Sequence, residues 1–232
     1  MKIYRMKISN IKELEKTSEI SKILNFYDIL LVESKTDIFK INELECFLNN
    51  QDIRKLDEYK SEVSKINFAV SRSILNKTFE TLLNTTCKNI VVSKSKYNKP
   101  YIKNKEKIEF NISHTDGYVL VGFSKRKIGV DVEKVNYSFD IKCILKGCFT
   151  NREIKNIGIN ISTFYKYWTI KEAYLKCEGC GFIRNPREIE IIYIDNNIIK
   201  IKDYTKGTNK YLLALRLSSK EYFGSVCIEN KV

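Results

Sequence analysis

The sequence repeats a loose pattern after about 100 residues, and this repeat constrains the fold more than any other feature. In the same order, residues 29–35 resemble 128–134, residues 46–54 resemble 148–155, and residues 68–75 resemble 168–175. A diverged duplication of one α/β unit explains three such matches best. We therefore predict an α/β (α+β) fold, a pseudo-dimer of two similar subdomains, 1–110 and 111–232, with an active-site cleft between them.

Each half is predicted to contain a strand, a second strand that ends in charged residues, a short helix, a longer helix and further strands. The longer helices are expected at about 63–83 and 162–177. The C-terminal stretches 189–201 and 211–228 are rich in β-branched and aromatic residues, which is typical of strands. Asp195-Asn196-Asn197 predicts a turn that divides the first of these stretches.

Two acidic residues are predicted to share one face of a strand. Side chains alternate along a strand, so Ile128, Val130 and Val132 lie on one side, and Asp131 and Glu133 lie on the other. The two carboxylates are then about 7 Å apart along the strand. Such a pair suits a hard cation such as Mg²⁺, which prefers oxygen ligands. The alternative is a solvated strand face that carries two acids.

A helix adds a third carboxylate and a lysine. Glu172 and Lys176 are four residues apart and lie on one helix face, with Trp168 one turn earlier. Gly179 and Gly181 follow as the expected helix stop. Taken alone, the pattern equally describes a surface ion pair beside a core tryptophan, which contributes little to stability.

The third candidate segment holds the single histidine of the chain. Ser113 and His114 follow the β-like run 110–112 and precede the turn at 116–117, so we place them at a strand end. Both side chains can donate a hydrogen bond to a phosphate. No acid at short sequence distance makes a Ser/His triad plausible, so such a triad would need a distant acidic partner.

The chain is strongly basic, with 41 Lys and Arg against 28 Asp and Glu and a formal net charge of +13. Such a charge attracts anionic partners, which include nucleic acid, anionic lipid, acidic proteins and polyphosphates. The basic residues are spread over the whole length, so the charge alone does not choose among these partners.

Composition also bears on the compartment. The sequence has no run of about 18 apolar residues and no apolar stretch of the signal-peptide kind, so we expect a cytoplasmic protein with no membrane span. Seven scattered cysteines argue against a disulfide framework. A zinc site would require Cys143, Cys148, Cys177 and Cys180 to converge, and reduced thiols are the alternative.

Together these segments resemble the signature of the Sfp-type 4'-phosphopantetheinyl transferases. The matching segments are Asn111-Ile112-Ser113-His114, Gly129-Val130-Asp131-Val132-Glu133, and the helix from Trp168 through Lys171, Glu172, Ala173 and Lys176 to Gly179. Upstream, Tyr97-Asn98-Lys99-Pro100-Tyr101 resembles the Gly-Lys-Pro turn of the family, with Asn98 at the usual glycine. The resemblance covers about residues 50–185, and the family too is a pseudo-dimer of two α/β halves.

The resemblance implies an enzyme that moves the 4'-phosphopantetheine arm of coenzyme A onto a serine of an apo acyl or peptidyl carrier protein and releases 3',5'-ADP. It implies that Asp131, Glu133 and Glu172 hold Mg²⁺, that Glu172 is also the catalytic base, and that Lys176 is catalytic because it neutralises the departing phosphate. The resemblance further implies a monomer that requires neither nucleic acid nor a membrane.

Coenzyme A, the co-substrate, is expected to contact residues in both halves. The residues implied are Lys99, Ser113, His114, Asp131 and Lys176, together with basic candidates for the 3'-phosphate, namely Arg54, Lys55, Lys65 and Arg72. A carrier helix is expected to dock on residues 136–161, where Lys142, Lys146, Arg152 and Lys155 accompany Phe139, Phe149 and Ile154. An ordinary amphipathic helix that packs on its own domain is the alternative for that segment.

Two rival functions compete with the transferase interpretation. A metal-dependent nuclease also uses strand carboxylates, a lysine and a basic surface, but this interpretation leaves the segments 111–114 and 168–176 unexplained. A basic nucleic-acid-binding module requires aromatic and basic residues interleaved on one face, and none of the familiar binding motifs is evident.

Overall fold

The computed structural model of the chain describes residues 1–180, 183–195, 198–206, 210–215, 217 and 221–230. The polypeptide divides into two units, Met1–Arg126 and Lys127–Val232. Sequence analysis placed this boundary near residue 110. The structure places it later because residues 109–124 form a hairpin whose second strand pairs with a strand of the first unit.

The first unit contains a four-stranded sheet in the order β1-β2-β6-β5. Its strands are β1 (Ile3–Lys7), β2 (Ile29–Lys35), β5 (Glu109–Thr115) and β6 (Tyr118–Ser124). β1 and β2 are parallel, whereas β6 is antiparallel to both of its neighbours. Two short strands, β3 (Ser93–Lys94) and β4 (Pro100–Tyr101), pair separately as a hairpin.

The first unit carries four α-helices, of which one dominates its core. They are α1 (Ile20–Phe26), α2 (Ile41–Leu44), α3 (Asn50–Glu58) and α4 (Glu62–Leu83), with 3-10 turns at Ile11–Glu19, Glu45–Phe47 and Cys87–Asn89. α4 buries Ile74 and Phe79, and the Phe79 ring contacts Phe110 of the sheet edge-on at 5.8 Å. α4 ends at Asn84, whose φ of 47° is the left-handed conformation typical of a helix stop.

The second unit contains a five-stranded antiparallel sheet in the order β7-β11-β10-β9-β8. Its strands are β7 (Ile128–Lys134), β8 (Ile189–Asp195), β9 (Ile198–Asp203), β10 (Lys210–Leu215) and β11 (Tyr222–Glu229). Asp195 of β8 pairs with Ile198 of β9. Asn196 and Asn197 of the predicted turn lie outside the described residues.

The described part of the second unit also carries three α-helices, α5 (Lys142–Cys148), α6 (Asn151–Ile157) and α7 (Ile161–Glu178), and a 3-10 turn at Pro186–Glu188. α7 begins after Asn160, whose side chain accepts a hydrogen bond from the Thr163 amide at 2.8 Å. It ends at Gly179, which has φ 76°. The predicted second stop, Gly181, is outside the described residues. No helix among the described residues is long and apolar enough to cross a bilayer.

α7 lies directly against β7 because of Gly129. A Cβ atom at this position would lie 2.1 Å from the Ala173 carbonyl oxygen and 2.3 Å from the Cys177 amide nitrogen. The absence of a side chain therefore lets the helix backbone rest on the strand backbone. This contact fixes the helix beside Asp131 and Glu133, which share a strand face with Gly129.

Candidate active site

An ion pair joins α7 to β7 at the face where sequence analysis expected a functional cluster. Lys176 Nζ donates to Asp131 Oδ1 at 2.6 Å. The Asp131 side chain is almost fully buried, whereas that of Lys176 is 28% exposed. A buried carboxylate is therefore reached by an ammonium group that keeps contact with solvent.

Glu172 lies close to this pair and has an unusual acidity. Burial, together with the negative charges of Asp131 and Glu133, raises the pKa of Glu172 from 4.5 to about 7, and Lys176 opposes this rise. The three carboxylates are therefore near enough to interact electrostatically, as the spacing predicted. A carboxyl group with a pKa near neutrality can exchange a proton at physiological pH.

A second contact fixes the register of this cluster. Asp131 is opposite Ser225 in the β7–β11 ladder, and the Ser225 hydroxyl is 2.9 Å from the hydroxyl of Thr169 on α7. Both of these residues are completely buried. α7 is thus tied to β11 by a polar contact and to β7 by the Gly129 approach, so the strand acids and the helix residues keep a defined spacing.

Two metal sites were considered from the sequence, a zinc site and a Mg²⁺ site. Among the described residues, no three His, Cys, Asp or Glu side chains are arranged as ready metal ligands. The suggested zinc site at Cys143, Cys148, Cys177 and Cys180 is therefore wrong, and these thiols are free, with Cys177 buried and Cys143 exposed. The oxygen donors of Asp131, Glu133 and Glu172 nevertheless have the chemistry that Mg²⁺ prefers.

Ser113 and His114 belong to the first unit, at the end of β5 as predicted. Ser113 is buried and His114 is exposed, because neighbouring strand residues point to opposite faces. A buried amide holds the turn that follows them. Asn67 Nδ2 donates to the Thr115 carbonyl at 2.8 Å, and the Thr36 hydroxyl donates to Asn67 Oδ1 at 2.7 Å.

His114 lines a cavity of about 420 Å³ within the first unit. Its walls carry the basic residues Lys55, Arg72, Lys94 and His114, the aromatic residues Tyr59 and Phe68, and Gln51, Asp52, Ser71, Val92, Pro100 and Ile112. Arg72 Nε donates to the buried carboxylate of Asp52 at 2.7 Å, which neutralises part of its charge. The cavity combines exposed cations with an aromatic wall, as an anionic ring-containing ligand requires.

The cavity adds Lys94 to the basic candidates and gathers only part of the predicted basic set. Lys94 is opposite Pro100 in the β3–β4 hairpin, so the predicted turn at 97–101 could have indicated that the two lie together. Lys65 pairs with Glu62 at 3.0 Å and does not line the cavity, and neither do Arg54, Lys99 or Ser113. The site residues predicted for coenzyme A are thus only partly gathered here, around Lys55 and His114.

The hairpin turn also explains the departure from the family pattern at residue 98. Asn98 has φ 61°, a left-handed conformation that glycine adopts freely and asparagine tolerates better than most residues. The Lys99 amide donates to the Ser95 hydroxyl at 3.1 Å, which closes the turn. Asparagine therefore fills the glycine position without a change of turn geometry.

The predicted docking segment 136–161 presents a different face from the one expected. Phe149 is fully buried and contacts Phe164, and Ile154 also packs against the core. These two residues belong to the core, which agrees with the alternative that this segment packs on its own domain. The exposed apolar side chains of this segment are Tyr137 (74% exposed), Phe139 (37%) and Ile159 (91%).

Comparison with known proteins identifies relatives of both units. Residues 127–227 match the family model described as the 4'-phosphopantetheinyl transferase superfamily, and residues 42–125 match that of a 4'-phosphopantetheinyl transferase N-terminal domain. The chain is 33% identical over 128 residues to the 4'-phosphopantetheinyl transferase gsp of Aneurinibacillus migulanus, covering 53% of this chain and 52% of the relative.

Two further relatives carry similar names. The 4'-phosphopantetheinyl transferase Sfp of Bacillus subtilis is 33% identical over 92 residues, covering 38% of this chain and 41% of the relative. The L-aminoadipate-semialdehyde dehydrogenase-phosphopantetheinyl transferase of Schizosaccharomyces pombe is 27% identical, covering 72% of this chain and 73% of the relative. The aligned part of the chain spans about half the length of the first of these curated relatives.

Proposed function

Because the chain belongs to the 4'-phosphopantetheinyl transferase superfamily, we propose that it transfers the 4'-phosphopantetheine arm of coenzyme A to a serine of an apo carrier protein. The observation that carries this proposal is the Glu172 carboxyl, which has a pKa of about 7 and lies beside the Lys176–Asp131 ion pair. A base and a cation on one helix face suit a reaction in which one oxygen loses a proton and another gains negative charge.

In this mechanism the ionised Glu172 accepts the proton of the carrier serine, directly or through water. The serine oxygen attacks the phosphorus that bears the pantetheine arm, and the bond from that phosphorus to the oxygen of 3',5'-ADP breaks. Lys176 neutralises the charge that develops on the departing phosphate. Positioning and charge neutralisation dominate such displacements, which need little covalent participation by the protein.

Asp131, Glu133 and Glu172 are the residues that would hold Mg²⁺. When bound, the ion supplies Lewis-acid stabilisation of the charge on the pyrophosphate. The support is the donor set itself, three carboxylates of one unit in which Asp131 and Glu133 are close enough to Glu172 for their charges to raise its pKa. In this scheme Asp131 also orients Lys176, because it accepts a hydrogen bond from the Lys176 ammonium.

The cavity of the first unit is the proposed site for the phosphorylated nucleotide of coenzyme A. Lys55, Lys94 and His114 supply positive or hydrogen-bonding groups that suit the 3'-phosphate, and Tyr59 and Phe68 supply an apolar wall. Ser113 and Lys99 stay proposed ligands on the neighbouring strand and hairpin. The proposal no longer relies on Lys65, since it does not line the cavity.

The exposed part of segment 136–161 is the proposed contact for the carrier protein. Tyr137 and Phe139 offer apolar area, and Lys142 and Lys146 lie close by in the sequence. Such a surface complements an acidic helix with an apolar stripe. Mass spectrometry on a panel of acyl, peptidyl and polyketide carriers determines which kind of carrier is modified.

Intact mass spectrometry of purified apo carrier proteins tests the proposal. Each carrier is incubated with the full chain, coenzyme A and Mg²⁺, and we expect a gain of one phosphopantetheine, about 340 Da, that EDTA abolishes. The Glu172→Gln variant should lose the gain, whereas Lys22→Met, a change of an exposed α1 residue, should keep it. A folded protein that modifies no acyl, peptidyl or polyketide carrier overturns the proposal, and nucleic-acid cleavage and binding are then the assays to run.

A further inference from the structure

α7 contains a buried lysine, Lys171, that the proposed mechanism does not use. Its side chain is only 2% exposed, and its ammonium group is fully engaged. Nζ donates to Glu153 Oε2 at 2.7 Å, to the Cys148 carbonyl at 2.9 Å and to the Pro186 carbonyl at 3.0 Å. Nζ also lies over the face of the Phe149 ring, 4.9 Å from its centre, in a cation–π contact.

Glu153, the partner of Lys171, is completely buried and accepts two further hydrogen bonds. Its Oε2 accepts from the Thr150 amide at 2.8 Å, which closes the capping box of α6. Its Oε1 accepts from the Ile191 amide of β8 at 2.8 Å. The Lys171–Glu153 pair therefore joins α7 to the end of α5, the start of α6, the turn before β8 and β8 itself.

A buried ion pair is a costly way to hold a helix in place. Apolar residues of similar size often stabilise a fold as well as such a pair does. Stability alone therefore does not explain the pair, and holding the helix in one orientation is a role that apolar residues would not fill as specifically. Here the Lys171–Glu153 pair holds α7 at the residue before Glu172, on a different side of the helix from the contact with Gly129. A rotation of α7 by about 20° would move an atom about 6 Å from the helix axis by about 2 Å. A shift of about 1 Å in a catalytic group can lower a rate 100-fold.

One further observation connects the pair to the acid cluster. Burial raises the pKa of the Cys148 thiol, Lys171 lowers it and Glu172 raises it again. Cys148, whose carbonyl accepts from Lys171, thus lies within electrostatic reach of both neighbouring helix residues.

We propose that Lys171 and Glu153 are a positioning pair, which sets the rotation of α7 and thereby the place of Glu172 and Lys176 relative to Asp131. The inference rests on the proposed transferase function for its effect on rate, but its effect on α7 is independent of that function. Neither residue contacts a substrate in this scheme.

Three variants of the full chain test the pair: Lys171→Met, Glu153→Gln and the double variant. Lys171→Met should lower the unfolding temperature most, because the Glu153 charge then stays buried without its ammonium. Glu153→Gln should be milder, because the Lys171 ammonium keeps the Cys148 and Pro186 carbonyls as acceptors. The double variant has neither charge and should recover most of the unfolding temperature.

The decisive comparison is between stability and rate in the double variant. We expect kcat for carrier modification to stay at least tenfold below that of the unaltered chain, with KM for coenzyme A within twofold. Lys206→Met is the matched control, because it removes an ion pair between the exposed Lys206 side chain and Glu178 at the C-terminal end of α7, and it should change neither quantity. The inference is overturned if kcat of the double variant is within twofold of that of the unaltered chain. It is also overturned if the activity falls because KM for coenzyme A rises instead of because kcat decreases.

Hydrogen exchange separates this inference from the proposed function. Peptides from α7 should exchange at least tenfold faster in the double variant, whereas peptides from α4 in the other unit should not change. If the unaltered chain modifies no carrier, the proposed function fails and the exchange result alone decides: unaltered protection of α7 overturns the positioning role. Should the double variant not fold, Glu153→Gln is judged by the same criteria.

Discussion

Lys176 reaches from α7 to Asp131 on β7 across 2.6 Å, and this ion pair links the helix and strand parts of the acid cluster directly. The Asp131 carboxylate is buried, whereas the Lys176 ammonium is partly exposed, so the solvent side of the pair is the lysine. Lys176 also lowers the pKa of Glu172, so it acts on both acids at once.

Lys176→Met should therefore lower kcat by about 100- to 1000-fold, the range found when one charge-stabilising donor is removed from a transition state. The pKa of Glu172 should rise further, so the acid limb of the pH–rate profile should move to higher pH. Steady-state rates from about pH 5.5 to 9 at saturating coenzyme A measure both effects. Lys22→Met, a charge removal at an exposed position of α1, is the control, and equal losses in the two variants would contradict the role of Lys176.

Glu172 should make the stability of the chain depend on pH in a defined direction. Its folded pKa is about 7 against an ordinary 4.5, so the folded state holds the proton more tightly than the unfolded state. Stability from this group is present below pH 4.5 and is lost as the pH rises through 7. The shift, 7 minus 4.5, corresponds to at most about 3 kcal/mol.

Glu172→Gln carries no ionisable group and should therefore unfold at higher urea concentration than the unaltered chain at about pH 8. At about pH 5 the two should differ by less than about 1 kcal/mol, because the unaltered carboxyl is then mostly protonated. Urea unfolding in EDTA at the two pH values measures this. A constant gap at both pH values would show that burial and the neighbouring acids do not control this carboxyl.

The sequence predicted the elements of the site well because their signals are local. The long helices were expected at 63–83 and 162–177 and are found at Glu62–Leu83 and Ile161–Glu178. The repeated segments 29–35 and 128–134 coincide with β2 and β7 residue for residue. Strand alternation and helix stops depend only on neighbouring residues, so one chain suffices to reveal them.

Pairings between distant residues could not be predicted in the same way. Both units use one device: an acid at the third position of the short helix binds a base on the longer helix. The pairs are Asp52 with Arg72 and Glu153 with Lys171, each at 2.7 Å. Residue identities hide this repetition, because the acid and the base both differ between the units. Lys94 was missed because only the turn at 97–101 indicates the β3–β4 pairing that brings it to the cavity.

The cavity of the first unit gives a prediction about the nucleotide phosphate. Lys55→Met and His114→Ala should each raise KM for coenzyme A about tenfold or more and leave kcat within about threefold, because a lost charge-assisted hydrogen bond weakens binding by about 1.5–3 kcal/mol. With 3'-dephospho-coenzyme A the same variants should resemble the unaltered chain. Lys22→Met removes a charge elsewhere in this unit and is the control. Losses that persist with the dephospho substrate would place the phosphate somewhere else.

The contact between α7 and β7 gives the strongest expectation about stability. In Gly129→Ala, the new methyl group would lie 2.1 Å from the Ala173 carbonyl oxygen and 2.3 Å from the Cys177 amide, so helix and strand must separate. We expect a loss of about 3 kcal/mol or more, since backbone atoms on both sides leave little room for relaxation. Thermal unfolding of the purified variant measures this loss.

Gly147→Ala is the matched control for this substitution, because it adds the same methyl group within α5, where nothing lies within 4 Å. It should stabilise the chain by about 0.5–1 kcal/mol, since alanine loses less conformational entropy than glycine in a helix. The separation of α7 from β7 should also lower carrier modification by Gly129→Ala below what its folded fraction explains, because Glu172 and Lys176 move away from Asp131. A Gly129→Ala protein with unaltered stability and rate would show that the helix does not need to approach the strand this closely.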